Sequence, residues 1–190
     1  MKLKNYFLLI FFLFHLNCSN SYYRRLALEN PRELIAIENS LKNKKLNNGV
    51  KESFGIAYRN IGLLEMDNEN FERAKEHFSC AVKYSVNDSI SRYNLFMIKG
   101  HMFRAKGKKE GLWSAIQNYH KATQFQPKLG EPFYYIGKTY SKIGDKEFDL
   151  ILESYQKAID LNLSPKLKKI VKSEIAIVSS REKKLKSFWK

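Results

Sequence analysis

Residues 131–160 read EPFYYIGKTYSKIGDKEFDLILESYQKAID, and they spell two helices joined by a turn. In the first half Phe133, Ile136, Gly137 and Tyr140 fall at i, i+3, i+4 and i+7, the spacing that gives a helix one buried stripe. In the second half Ile151, Tyr155 and Ala158 do the same. Gly144 marks the turn, and Asp145 behind it is placed to cap the second helix. Gly137 and Ala158 are small where two helix backbones have to approach closely, and the aromatics fill the space that is left.

Working outward, the pattern recurs. Gly62, Gly100 and Gly137 lie 38 and 37 residues apart. The first copy has Tyr58, Ile61, Gly62 and Glu65, then Ala74, Phe78 and Ala81. The second has Phe96, Lys99, Gly100 and Phe103, then Ala115, Tyr119, Ala122 and Pro127. The third closes with Pro165. Gly107 marks a turn in the second copy, and extra residues are expected between the helices around Lys108–Gly111 and Lys146–Asp149. One such pair cannot bury its stripe alone, so the copies must stack.

This pattern resembles the tetratricopeptide (TPR) repeat, with Glu65, Lys99 and Ile151 departing from its signature. The resemblance implies an all-α TPR-type superhelix of antiparallel helix pairs with capping helices at both ends. The repeats are expected over 55–164, divided at about 55–88, 93–129 and 130–164. Residues 31–54 are expected to form an N-terminal capping helix and hinge, with Asn30 as N-cap, Pro31 at N1 and a polar hinge over Lys42–Gly49. Residues 165–190 are expected to form a basic amphipathic capping helix, its stripe made by Leu167, Ile170, Val171, Glu174, Ile175 and Val178.

The first residues read as an address. Lys2 and Lys4 precede the apolar run Tyr6–Phe14, which is too short for a membrane span of about 20 residues. The run ends in His15-Leu16-Asn17-Cys18, which resembles the relaxed lipobox of spirochaete lipoproteins. That resemblance implies a signal peptide over 1–17, a diacylglycerol and a further acyl chain on Cys18, and a tether over 18–30. Two or more acyl chains make attachment effectively stable. The expected location is the bacterial cell envelope, on a periplasmic face or at the cell surface.

The formal net charge is +15, and removing residues 1–17 takes away two lysines and no acid. Outside the cytoplasm such a surface matches anionic lipid or acidic proteins, and nucleic acid is not an expected partner. From Pro165 to Lys190 there are nine Lys or Arg and two Glu, so the last helix is a candidate for contact with anionic lipid. Two cysteines, Cys18 and Cys80, make no disulfide framework.

Catalytic patterns do not emerge. His77, His101 and His120 fall on three different helices, with no HExxH, CxxC or phosphate-binding glycine loop. No enzyme activity, metal or cofactor is expected. The resemblance does imply a concave face lined by the first helix of each pair. Carried over by position, it is lined by Arg59, Leu63 and Met66, then Met97, His101 and Arg104, then Tyr134, Lys138 and Lys142. Tyr134 and Arg104 are expected to be exposed there. The basic clamp by which some TPR domains grip C-terminal carboxylates is not matched: Arg59 fits, while Leu63, Ile98, Glu131 and Tyr135 do not. The expected function is a membrane-anchored scaffold that binds a protein or peptide, in envelope or outer-membrane protein assembly. The alternative is a surface adhesin that uses its basic face on host polyanions or proteins.

Overall fold

A computed structural model describes residues 20–41, 44–144 and 147–188. Residues 20–29 form α1. They are followed by α2 (Pro31–Ala36), α3 (Glu38–Leu41), α4 (Asn48–Asp67), α5 (Phe71–Tyr84), α6 (Ser89–Lys106), α7 (Lys109–Phe125), α8 (Glu131–Ile143), α9 (Phe148–Asp160) and α10 (Pro165–Phe188). Among the described residues no strand forms, and a parallel bridge ties Leu129 to Asn162. No described helix is long and apolar enough to cross a membrane. Two compact units divide the chain between Ser91 and Arg92.

The three glycines explain why the helices pair as α4–α5, α6–α7 and α8–α9. A Cβ on Gly62 would stand 3.0 Å from the Phe78 ring, one on Gly100 2.4 Å from Tyr119, and one on Gly137 2.5 Å from Tyr155. Each ring is fully buried. Each aromatic therefore packs closely on the bare backbone of its partner helix. Burying a large side chain this completely contributes about 1.5–3 kcal/mol. Phe96 stacks on Phe125 at 5.7 Å, so residues rising along α6 meet residues falling along α7, and the pair is antiparallel. Ala81, Ala122 and Ala158 are all 0% exposed, as close helix contacts require.

In the first unit Leu26, Ala27, Leu34, Val50, Phe54, Ala57, Tyr58 and Ala81 form the core. Two sequence expectations are corrected here. The tether expected over 18–30 is helical from residue 20, because Tyr23, Leu26 and Ala27 at i, i+3 and i+4 give it an apolar edge. The Asn60 amide donates to the Ala27 carbonyl at 3.2 Å and holds that helix on α4. Next, α4 starts at Asn48 and absorbs the end of the hinge, because the Asn47 side chain accepts from the Val50 amide at 2.9 Å and caps it. Asn30 does stand at the N-cap with Pro31 after it, but its side chain makes no capping bond.

In the second unit the core gathers Met97, Ile116, Tyr119, Ile136, Ile151 and Tyr155. Lys109–Gly111, expected as a loop, open α7, and only Gly107 and Lys108 link it to α6. Gly107 makes that short link with φ +68°, a conformation that suits glycine. Beyond α9, the Gly130 amide donates to Asn162 O at 2.8 Å and the Asn162 amide to Lys128 O at 2.9 Å. Ser164 Oγ accepts from Leu167 N at 3.3 Å and starts α10. Val171 and Val178 then seal the core from that helix. The leader 1–17 with Cys18, the hinge residues Lys42 and Asn43, the cap Asp145, the loop residue Lys146 and the terminal Trp189 and Lys190 lie outside the described residues.

Candidate functional site

In the first unit a cleft of about 320 Å³ opens beside α4, walled chiefly by Arg24, Glu52, Ile56, Arg59, Asp88 and Ile90. Arg59 is a position that the repeat resemblance assigns to an inner face. The Arg59 guanidinium is held by Asp88 at 2.9 Å, with the two side chains 23% and 7% exposed. Asp88 earns its burial by a second task. Its Oδ1 accepts from the amides of Ile90 at 3.1 Å and Ser91 at 3.2 Å, which caps α6. Arg59 is thus positioned by a neighbour that no inner-face code includes, although Asp88 before a periodic run is a legible helix start. Leu63 and Met66 are half-buried. Val86 and Ile90 are 60% and 44% exposed.

Elsewhere in the first unit, two carboxylates replace what apolar packing would do. The hydroxyls of Tyr58 and Tyr84 both donate to Glu38 of α3. Burial, and then the bond to Glu38, push both phenols up. Burial, and then Glu38, also raise Cys80, so that thiol is a poor nucleophile. Glu65, where the repeat signature has an aromatic, is 6% exposed. It accepts from Asn70 Nδ2 at 2.9 Å and faces Arg32 of α2 at 3.7 Å.

In the second unit, two of the residues expected on an inner face are buried. Met97 is 2% and Tyr134 8% exposed, and both belong to the core. The expectation that Tyr134 is exposed is corrected: its ring lies 6.2 Å from Tyr155 and 4.9 Å from Tyr135. His101 Nδ1 is 2.9 Å from the Tyr119 hydroxyl, and its ring stands edge-on to Tyr135 at 4.4 Å. Burial, and then the Arg104 charge, pull His101 down to about 4, so it is neutral at pH 7. Arg104 is half-buried, with its guanidinium 5.4 Å from the Tyr135 ring centroid. Lys138 pairs with Glu174 of α10 at 3.0 Å. Lys142 is exposed and donates to Arg104 O at 3.2 Å, a cation at the negative end of α6. Most of these groups are already engaged within the chain.

A feature without a sequence signal is a smaller cleft of about 160 Å³, walled chiefly by His120, Phe133, Tyr140, Leu150, Glu153 and Lys157. Lys157 Nζ sits 4.5 Å from the Phe133 ring centroid. Trp113, 42% exposed, stands edge-on to Tyr140 at 6.0 Å. His77, His101 and His120 are on α5, α6 and α7 respectively. Among the described residues no group of three His, Cys, Asp or Glu is placed to hold a metal ion.

Paired helices keyed by a glycine under an aromatic define an all-α fold of the tetratricopeptide type. MamA, residues 41 to the end, from Desulfovibrio magneticus RS-1 is a repeat protein of this type. It superposes with a TM-score of 0.52 at 18% identity, over 88% of this chain and 88% of that one. MamA of AMB-1 gives a TM-score of 0.41 at 15% identity, over 81% of this chain and 98% of that one. No known family profile matches the sequence. No curated protein matches it either.

Proposed function

We propose that this chain is a non-enzymatic protein-interaction scaffold. A lipid on Cys18 holds it at a membrane of the bacterial cell envelope, where it serves in envelope or outer-membrane protein assembly. The observation that carries the binding half is the cleft beside α4. It has a mouth with exposed Ile90, polar walls of both signs, and Ile56 and Arg59 of α4 in its lining. Such a cleft suits a peptide or helix with one apolar anchor and flanking charges of mixed sign. A photo-crosslinking side chain at Ile90 should trap a defined protein in cells, and Arg24→Glu should diminish the adduct. Equal adducts from exposed Glu72, which does not line the cleft, or indifference to Arg24→Glu would overturn the assignment.

The anchoring half stands on the Cys18 lipobox resemblance. Labelled palmitate should enter the wild-type protein, and Cys18→Ala should abolish the label and release the protein from membranes. A wild-type protein that never takes the label refutes it. The net charge of +15 favours a second reading, an adhesin for host polyanions or proteins. Protease added to intact cells separates the two: rapid loss supports the adhesin, and protection supports the scaffold.

A further inference from the structure

Helix α10 has two faces. One carries Val171 and Val178 into the core of its unit. The other carries Ile177, Arg181, Lys184, Leu185 and Phe188, at i, i+4, i+7, i+8 and i+11, which is one continuous helical stripe. On that stripe Ile177 is 53%, Leu185 44% and Phe188 84% exposed. Large apolar side chains scattered singly over a surface need no explanation, but three aligned between bases on one helix do.

Charge identifies what covers them. Glu174 and Glu182 are the only acids from Pro165 onward, against nine Lys and Arg. Both are already neutralised, Glu174 by Lys138 at 3.0 Å and Glu182 by Lys186 at 2.5 Å. A helix with an apolar line, a strongly cationic surround and too little hydropathy to span lies in the plane of a bilayer surface. We propose that this second face of α10 docks on a bilayer that carries anionic lipid. Ile177, Leu185 and Phe188 enter the boundary between headgroups and acyl chains, while Arg181 and Lys184 meet lipid phosphates. The contact is separate from any lipid on Cys18, because it uses side chains at the opposite end of the sequence.

The test takes the full chain with Cys18→Ala, so that no acyl chain contributes, and sediments it with vesicles of phosphatidylglycerol and phosphatidylcholine or of phosphatidylcholine alone. Binding is expected with the anionic vesicles only, and it should weaken as salt is raised. Replacing Ile177, Leu185 and Phe188 by Ser should lower the affinity about tenfold or more while leaving the circular dichroism unchanged. Arg181→Ala with Lys184→Ala should have a similar effect, whereas Lys108→Ala with Lys109→Ala, an equal loss of charge elsewhere, should change it less than about twofold. The proposal is overturned by equal binding to both vesicles, or by no binding to either. It is also overturned if the control pair matches the α10 pair, since net charge alone would then suffice. A dimer in solution that the Ser variant dissolves, with vesicles unbound, would assign the face to a second copy and overturn it as well.

Discussion

At the scale of single residues, the rings under the repeat glycines make sharp predictions. Gly137→Ala would drive a methyl to 2.5 Å from Tyr155, a fully buried ring that cannot swing away. It should cost about 1–3 kcal/mol of stability. Gly144→Ala, with nothing within 4 Å of the added carbon, should be nearly neutral in the same denaturant titration. The two tyrosines differ at their tips. Tyr119 meets His101, whereas the buried Tyr155 hydroxyl has no hydrogen-bond partner among the described residues. Tyr119→Phe should therefore lower the melting temperature, and Tyr155→Phe should leave it level or raise it. The reverse order would show that Tyr155 has a partner. His101 adds a pH dependence. Its value falls from 6.5 to about 4 on folding, so below 6.5 the unfolded chain binds a proton that the folded chain refuses. Stability from this group is complete above 6.5, is lost as pH falls, and levels off below about 4, a loss of about 3 kcal/mol at most. Burial lowers His77 and His120 as well, so they act in the same direction. His101→Gln should flatten the slope of melting temperature against pH in that window. An unchanged slope would mean that His101 titrates in the fold as it does in the unfolded chain.

At the scale of elements, α3 is the instructive case. Four residues cannot sustain a helix alone, and Glu38 supplies what is missing by accepting from Tyr58 of α4 and Tyr84 of α5. Glu38→Ala should cost about 2 kcal/mol. It should speed amide exchange in Glu38–Leu41 and let both phenols titrate at lower pH. Unaltered tyrosine titration would remove Glu38 from this role. Nothing local announces it, since its partners lie 20 and 46 residues further along the chain. The paired helices were legible for the opposite reason: Gly137 and Tyr155 sit at fixed offsets in a repeating unit. The 20–29 helix was hidden because its apolar edge is short and follows the leader. The exposure of the positions carried over from the repeat was not legible: Met97 and Tyr134 are large and apolar enough to join the core of their unit, where they are buried.

At the scale of the whole molecule, charge and division into units set the behaviour. A net charge of +15 with partners already assigned to several of its acids makes association sensitive to ionic strength wherever the chain meets anions. The division between Ser91 and Arg92 has an optical corollary. Both tryptophans, Trp113 and Trp189, follow that boundary. Trp113, edge-on to Tyr140, therefore reports on the second unit by its indole emission, while helical ellipticity reports on both units. Thermal traces at the two wavelengths superimpose if the chain unfolds in one step. If they separate, the second unit does not unfold together with the rest of the chain, and this is read from one unlabelled sample.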